Sequence, residues 1–205
     1  MLFKQAYIQT LLKRRAARGT ADDRWNEIQH AYTRPKRHYH TLAHLEHIWS
    51  ELLPFKAKLE NIDSVIAAIA YHDFVYDASR QDNEKRSAEE ATSILNSLRW
   101  EPAEAQKCAD MILATTTHEP GEDNDTRYFT DADISILGTD WETYHRYTLQ
   151  IRKEYFTLPD FIYHPGRKKV VRELLAKENI YSTEEFRDRY ELTARENLLA
   201  ELKKL

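Results

Sequence analysis

The chain has 205 residues, 41% apolar and 31% charged, with a net charge of −4 when the histidines are neutral. That length holds one domain with a substantial core, and the acidic balance argues against a general grip on nucleic acid. Four glycines and six prolines disfavour long loops and a turn-rich β fold. The single cysteine, Cys108, rules out an intrachain disulfide and reads as a buried, inert thiol in a helical stretch. One cysteine also suits a reducing cytoplasm, the expected location. No segment approaches the ~20 apolar residues of a membrane span. The N-terminus, MLFKQAYIQTLLKRR, has its charges after a short apolar run, so it reads as an amphipathic helix rather than a signal peptide.

Helical periodicity runs through nearly the whole chain. The first helix is expected over Leu2 to Arg18, and the second from a cap at Asp22 or Asp23 to about Tyr32. The basic, aromatic segment TRPKRHYH follows, broken at Pro35. Thr41 caps TLAHLEHIWSELLPF, which ends near Pro54. The almost continuously apolar NIDSVIAAIAY, Asn61 to Tyr71, should be the most buried helix; it leads into His72-Asp73 and the loop DFVYDASRQD. Asn83 or Ser87 opens a helix to about Leu98, and Glu101 to Thr117 forms another with Pro102 in its first turn. HEPGEDNDTR reads as a polar loop, and FTDADISILG as a short periodic piece ended by Gly138. Trp141 to Phe156 and Asp160 to Lys177 are long and amphipathic, although YHPG looks like a turn. Ser182 or Thr183, with Glu184 or Glu185 as the reciprocal acid, caps the last helix. The expected fold is therefore one all-α domain over residues 1–205, a helical bundle.

Three features carry chemistry. His40, His44 and His47 are spaced i, i+4, i+7, so they share one helix face. Titrating side chains on a core-facing stripe are costly unless paired. His72-Asp73 arrives at the end of a buried helix, where an unpaired carboxylate is expensive and a cation would neutralise it. Adjacent helical residues point about 100° apart, so both reach one ion only near the helix end. Asp131 and Asp133 flank Ala132, and either reads as an N-cap or as a ligand. Together these supply imidazoles and carboxylates, a donor set that favours Mn²⁺, Fe²⁺, Co²⁺, Ni²⁺ or Zn²⁺ over Ca²⁺.

The order His…His-Asp…Asp in a helical chain resembles the HD-domain superfamily of metal-dependent phosphohydrolases. HYHTLAHLEHI, AIAYHDFVYD, DNEKRSAEEA and DADISILG resemble more closely one bacterial group of predicted metal-dependent HD-superfamily phosphohydrolases, and IRKEYF, PGRKKVV and ARENLLAEL extend the similarity toward the C-terminus. The resemblance implies an HD-type bundle, with a metal-site core over about 38–138 and C-terminal helices 141–203 packed on it. It implies one divalent ion (Mn, Fe, Co, Ni, Zn or Mg) held by His44, His72, Asp73 and Asp133, with Asp131 the fallback for the last role. It implies hydrolysis of a small phosphate ester, a nucleotide among the candidates, or the alternative of a catalytically weak metal- or nucleotide-binding module. Several such hydrolases carry a Glu-Asp pair or a Glu three to four residues after the doublet; Tyr76 and Asp77 stand there. Asp77 and Glu84 are the candidates for orienting the attacking water. Arg37 is the first candidate for the phosphate, with His40 and His118 facing it or supporting the ligands, and Arg86, Arg152 and Arg167 as further basic candidates. Glu46 and Asp131 are candidate acceptors for the ligand histidines.

Overall fold

The computed structural model describes residues 1–119 and 121–205; Pro120, in the expected polar loop, lies outside the described residues. The chain is all-α, with no strand among the described residues. Its helices are α1 (Leu2–Lys13), α2 (Arg18–Tyr32), α3 (Leu42–Leu52), α4 (Ile62–Tyr71), α5 (Asn83–Ser97), α6 (Pro102–Ala114), α7 (Asn124–Asp133), α8 (Trp141–Glu154), α9 (Asp160–Ala176) and α10 (Glu184–Leu202). Short 3₁₀ turns cover Leu53–Lys58 and Ser135–Gly138. No described helix is long and apolar enough to cross a membrane.

Helix α4 is the centre of the molecule. Val65 to Tyr71 are all at most 4% exposed, as the unbroken apolar run requires. Its N-cap Asn61 accepts a hydrogen bond from the Ser64 amide, and Asp125 of α7 accepts from the Glu60 and Asn61 amides just before it. One core cluster extends from Phe3 to Leu198 and unites both ends of the chain with α4. Phe3 meets Trp25 edge-on and Tyr7 packs at a tilt against both rings, and the Tyr7 and Tyr71 hydroxyls pair at 2.5 Å.

Four local expectations are corrected. The first helix stops at Lys13 rather than Arg18, because Arg15 takes φ +64° and the next helix starts at Arg18. Arg14, at the break, is held by Asp63 and Glu104 and lies 3.9 Å above the Trp100 ring. The polar segment before Phe129 is helical from Asn124, since Asp123 caps it by accepting from the Thr126 amide. Pro165 and Gly166 lie inside α9, not in a turn. The reciprocal cap expected for α10 is absent: Thr183 makes no side-chain cap. Instead Asp131 accepts from the Ser182 and Thr183 amides and the Thr183 hydroxyl, while Glu185 pairs with Lys58 and Tyr128.

The turn after α7 is locked onto α10. A Cβ at Gly138 would fall 2.5 Å from the Tyr190 Cβ and 2.7 Å from the Tyr190 carbonyl oxygen, so no larger residue fits there. Asn197 donates to the Leu137 and Thr139 carbonyls across the same contact.

Candidate metal centre

Three helices deliver the site. His44 lies in the first turn of α3, His72 caps the C-terminus of α4, and Asp133 is the last residue of α7. His44 Nε2 lies 3.2 Å from His72 Nε2 and 3.0 Å from Asp133 Oδ1. One donor atom from each of these three residues lies within 4.8 Å of the others. Asp73 stands alongside, with Oδ2 3.0 Å from His72 Nε2 and 3.8 Å from His44 Nε2. It belongs to the cluster's edge rather than to its tightest group. The chain turns directly after α4, which brings the side chains of the adjacent doublet to the same place.

The donors fit a divalent ion. Adjacent ligands of an ion bound at about 2.1 Å stand about 3.0 Å apart in an octahedral site and about 3.4 Å apart in a tetrahedral one, and the observed spacings of 3.0 and 3.2 Å fall in that range. His72 Nδ1 donates to the Ile69 carbonyl at 3.1 Å, so the neutral ring presents a lone pair on Nε2. That lone pair faces His44 Nε2 and the two carboxylates in a nearly dry place, His44 and His72 being 4% and 2% exposed.

The electrostatics point the same way. Burial opposes charge on every group here, yet the histidines hold the Asp73 and Asp133 carboxyls well below the usual range. Burial alone would lower His72, but Asp73 and Asp133 lift it to about 9. Burial wins at His44, whose pKa falls. The metal-free site thus holds two ionised carboxylates and recruits a proton to His72, where a cation is wanted. The donor set fits a divalent cation of this size rather than one named metal.

Two flanking histidines support the carboxylates. His118, at the left-handed turn after α6, approaches Asp133 Oδ2 at 3.1 Å and leaves Oδ1 toward His44. His40 puts Nε2 3.9 Å from Asp73 Oδ2 while its Nδ1 meets Glu154 Oε2 at 2.6 Å. Glu154, 3% exposed, also accepts from the His38, Tyr39 and His40 amides and from the Tyr76 hydroxyl. This acid, at the end of α8, orders the loop that precedes the first ligand helix. Sequence reasoning missed it; the only signal was an acid inside IRKEYF, 78 to 116 residues from its partners.

Several expected residues stand elsewhere. Arg37 donates to the Asp73, Phe74 and His40 carbonyls at 2.6, 3.2 and 3.1 Å and packs over the Tyr32 and Tyr76 rings. Its guanidinium therefore fastens the ligand-bearing turn rather than facing the cluster. Asp77 is exposed and accepts from the Ser79 amide and hydroxyl, closing a local turn away from the ligands. Glu84 stands in the first turn of α5 without a hydrogen bond or ion pair to the cluster. Asp131 faces the start of α10, which removes it as the alternative to Asp133. Glu46 accepts from the Leu2 and Phe3 amides at the start of α1, so it supports no ligand histidine. His47 meets the Ser135 hydroxyl at 2.8 Å and leaves the cluster to His44. Arg152 pairs with Asp160, and Arg167 with Glu201.

No protein-family model, curated protein or solved structure matches the chain.

Proposed function

We propose that this protein is a metal-dependent phosphohydrolase of the HD type, acting on a small phosphate ester. The observation that carries the reading is the His44–His72–Asp133 group, with Asp73 3.0 Å from His72, assembled from three separate helices at ligand spacing. When bound, a divalent ion supplies Lewis-acid polarisation of a phosphoryl oxygen and acidifies a water. The chain's own residues hold and orient. His118 fixes the Asp133 carboxylate, and Arg37 fixes the Asp73 backbone. Glu154 holds His40 through Nδ1, which turns Nε2 toward Asp73 as the imidazole placed to hold or move a proton. With Asp77 engaged by Ser79 and Tyr76 donating to Glu154, His40 takes the proton-handling role that an acid after the doublet would otherwise fill.

The test is hydrolysis of p-nitrophenyl phosphate and a nucleotide panel after loading with Mn²⁺, in wild type and in His72→Ala. Turnover that disappears with His72 supports the proposal; turnover unchanged in a variant that no longer binds Mn²⁺ ends it. One observation favours a second reading, a metal-binding module without turnover. The acid nearest His40, Glu154, already accepts five hydrogen bonds and has no lone pair to give a water. Metal binding with no hydrolysis of any substrate in the panel would select that reading.

A further inference from the structure

A second cleft shares His118 with the metal centre. Its volume is about 490 Å³, and Arg127, Lys177 and Arg187 reach it from α7, the end of α9 and α10. The three cations are fixed in an unusual way. Arg127 and Arg187 both donate to the Ser182 carbonyl oxygen. Lys177 donates to the Thr117 and His118 carbonyls, both at 3.0 Å. Two hydrogen bonds that meet on one oxygen hold their nitrogens within about 6 Å of each other. Two guanidinium groups so close repel, and a carbonyl dipole orients them without neutralising them.

None of the three forms an ion pair among the described residues. The acid that acts on Arg127, Asp131, has its oxygens on the Ser182 and Thr183 amides and the Thr183 hydroxyl. Glu119, Glu122 and Glu178 also line the cleft, but they are exposed at its rim and reach none of the cations. Each guanidinium carries five N–H donors and uses one on Ser182. The remaining donors are pre-ordered, and a tetrahedral oxyanion offers the acceptors and the charge that the protein withholds.

We propose that this cleft binds the phosphoryl group of a phosphate or phosphate ester between Arg127 and Arg187, with Lys177 closing the third side. The site is independent of the metal and of hydrolysis. It gives the protein a second recognition point for phosphate beside the one expected at the ion.

The experiment is calorimetric titration of the metal-stripped full chain with inorganic phosphate and, separately, with phosphoserine, at constant ionic strength. Binding with Kd of about 1 mM is expected, weakened about tenfold by Arg127→Gln or Arg187→Gln, the size of one charge-assisted hydrogen bond pair. His72→Ala, at a metal-centre residue that touches none of the cleft residues, should leave it unchanged, which separates this cleft from the metal centre. Phosphoserine as tight as phosphate assigns the phosphoryl group of a larger molecule, and phosphate alone assigns the free ion; both uphold the site. Phosphate binding that survives both arginine substitutions, or that His72→Ala abolishes, overturns it. Wild-type crystals soaked in phosphate give a readout that needs no variant: density between the two guanidinium groups supports the proposal, and an empty cleft at saturating phosphate refutes it.

Discussion

Replacing Glu154 with Gln isolates what one buried charge does for the site. Burial pushes the carboxyl up, but the His40 imidazole, the Tyr76 hydroxyl and the His38 amide bring it from 4.5 down to about 2. Gln has the shape of the protonated acid, so the substitution removes what ionisation contributes. At 1.36 kcal/mol per tenfold change in the ionisation constant, that displacement is worth about 3 kcal/mol. A depressed carboxyl stabilises above its unfolded value and loses that contribution as pH falls through the folded one. The difference between wild type and Glu154→Gln is therefore about 3 kcal/mol at pH 7, and shrinks between about pH 4.5 and pH 2. For a chain of this length that lowers Tm by roughly 6–12 °C. Urea unfolding of the metal-stripped protein across pH 2.5–7 measures it. A difference below about 1 kcal/mol at pH 7, or one that does not change with pH, would falsify the electrostatic account of Glu154.

Other substitutions separate neighbouring roles. Asp131→Ala should cost about 2 kcal/mol by uncovering the start of α10, while Mn²⁺ affinity by calorimetry stays as in wild type; a lost metal site would return Asp131 to the ligand set. Asp73→Ala should weaken Mn²⁺ binding by about tenfold or more, read by metal analysis after dialysis, and full retention would remove the doublet from the site. Gly138→Ala should cost about 2–4 kcal/mol in chemical unfolding, because the new methyl meets Tyr190 backbone and Cβ that cannot step aside; wild-type stability would show that α10 shifts freely.

The fold was largely legible because its helices are built from local rules. The apolar run Val65–Tyr71, the cap at Asn61, and Pro102 at a first turn each decide an element within a few residues; Thr41 stands at the N-cap position of α3 but makes no side-chain cap. His44, His72 and Asp133 were legible as types and order, and the structure brings those three together. What sequence could not show was the use of acids at long range. Glu46, Asp125, Asp131 and Glu154 each accept backbone amides from segments far along the chain. A carboxylate that caps a distant helix start looks, in sequence, like an ordinary surface acid or a local cap. That is why Asp131 read as an N-cap of its own segment and Glu154 went unread. Arg37 read as a phosphate ligand for the complementary reason: a buried arginine can be satisfied by carbonyls, and periodicity does not reveal which ones.

The central claim is that one divalent ion sits among His44, His72, Asp73 and Asp133. Crystals grown with Mn²⁺ and measured at the manganese absorption edge test it directly. One anomalous peak at about 2.1–2.3 Å from His44 Nε2, His72 Nε2 and an Asp133 oxygen, with Asp73 drawn in, is the predicted result. A peak elsewhere, or none there at saturating Mn²⁺ with the two imidazoles still 3.2 Å apart, would contradict it.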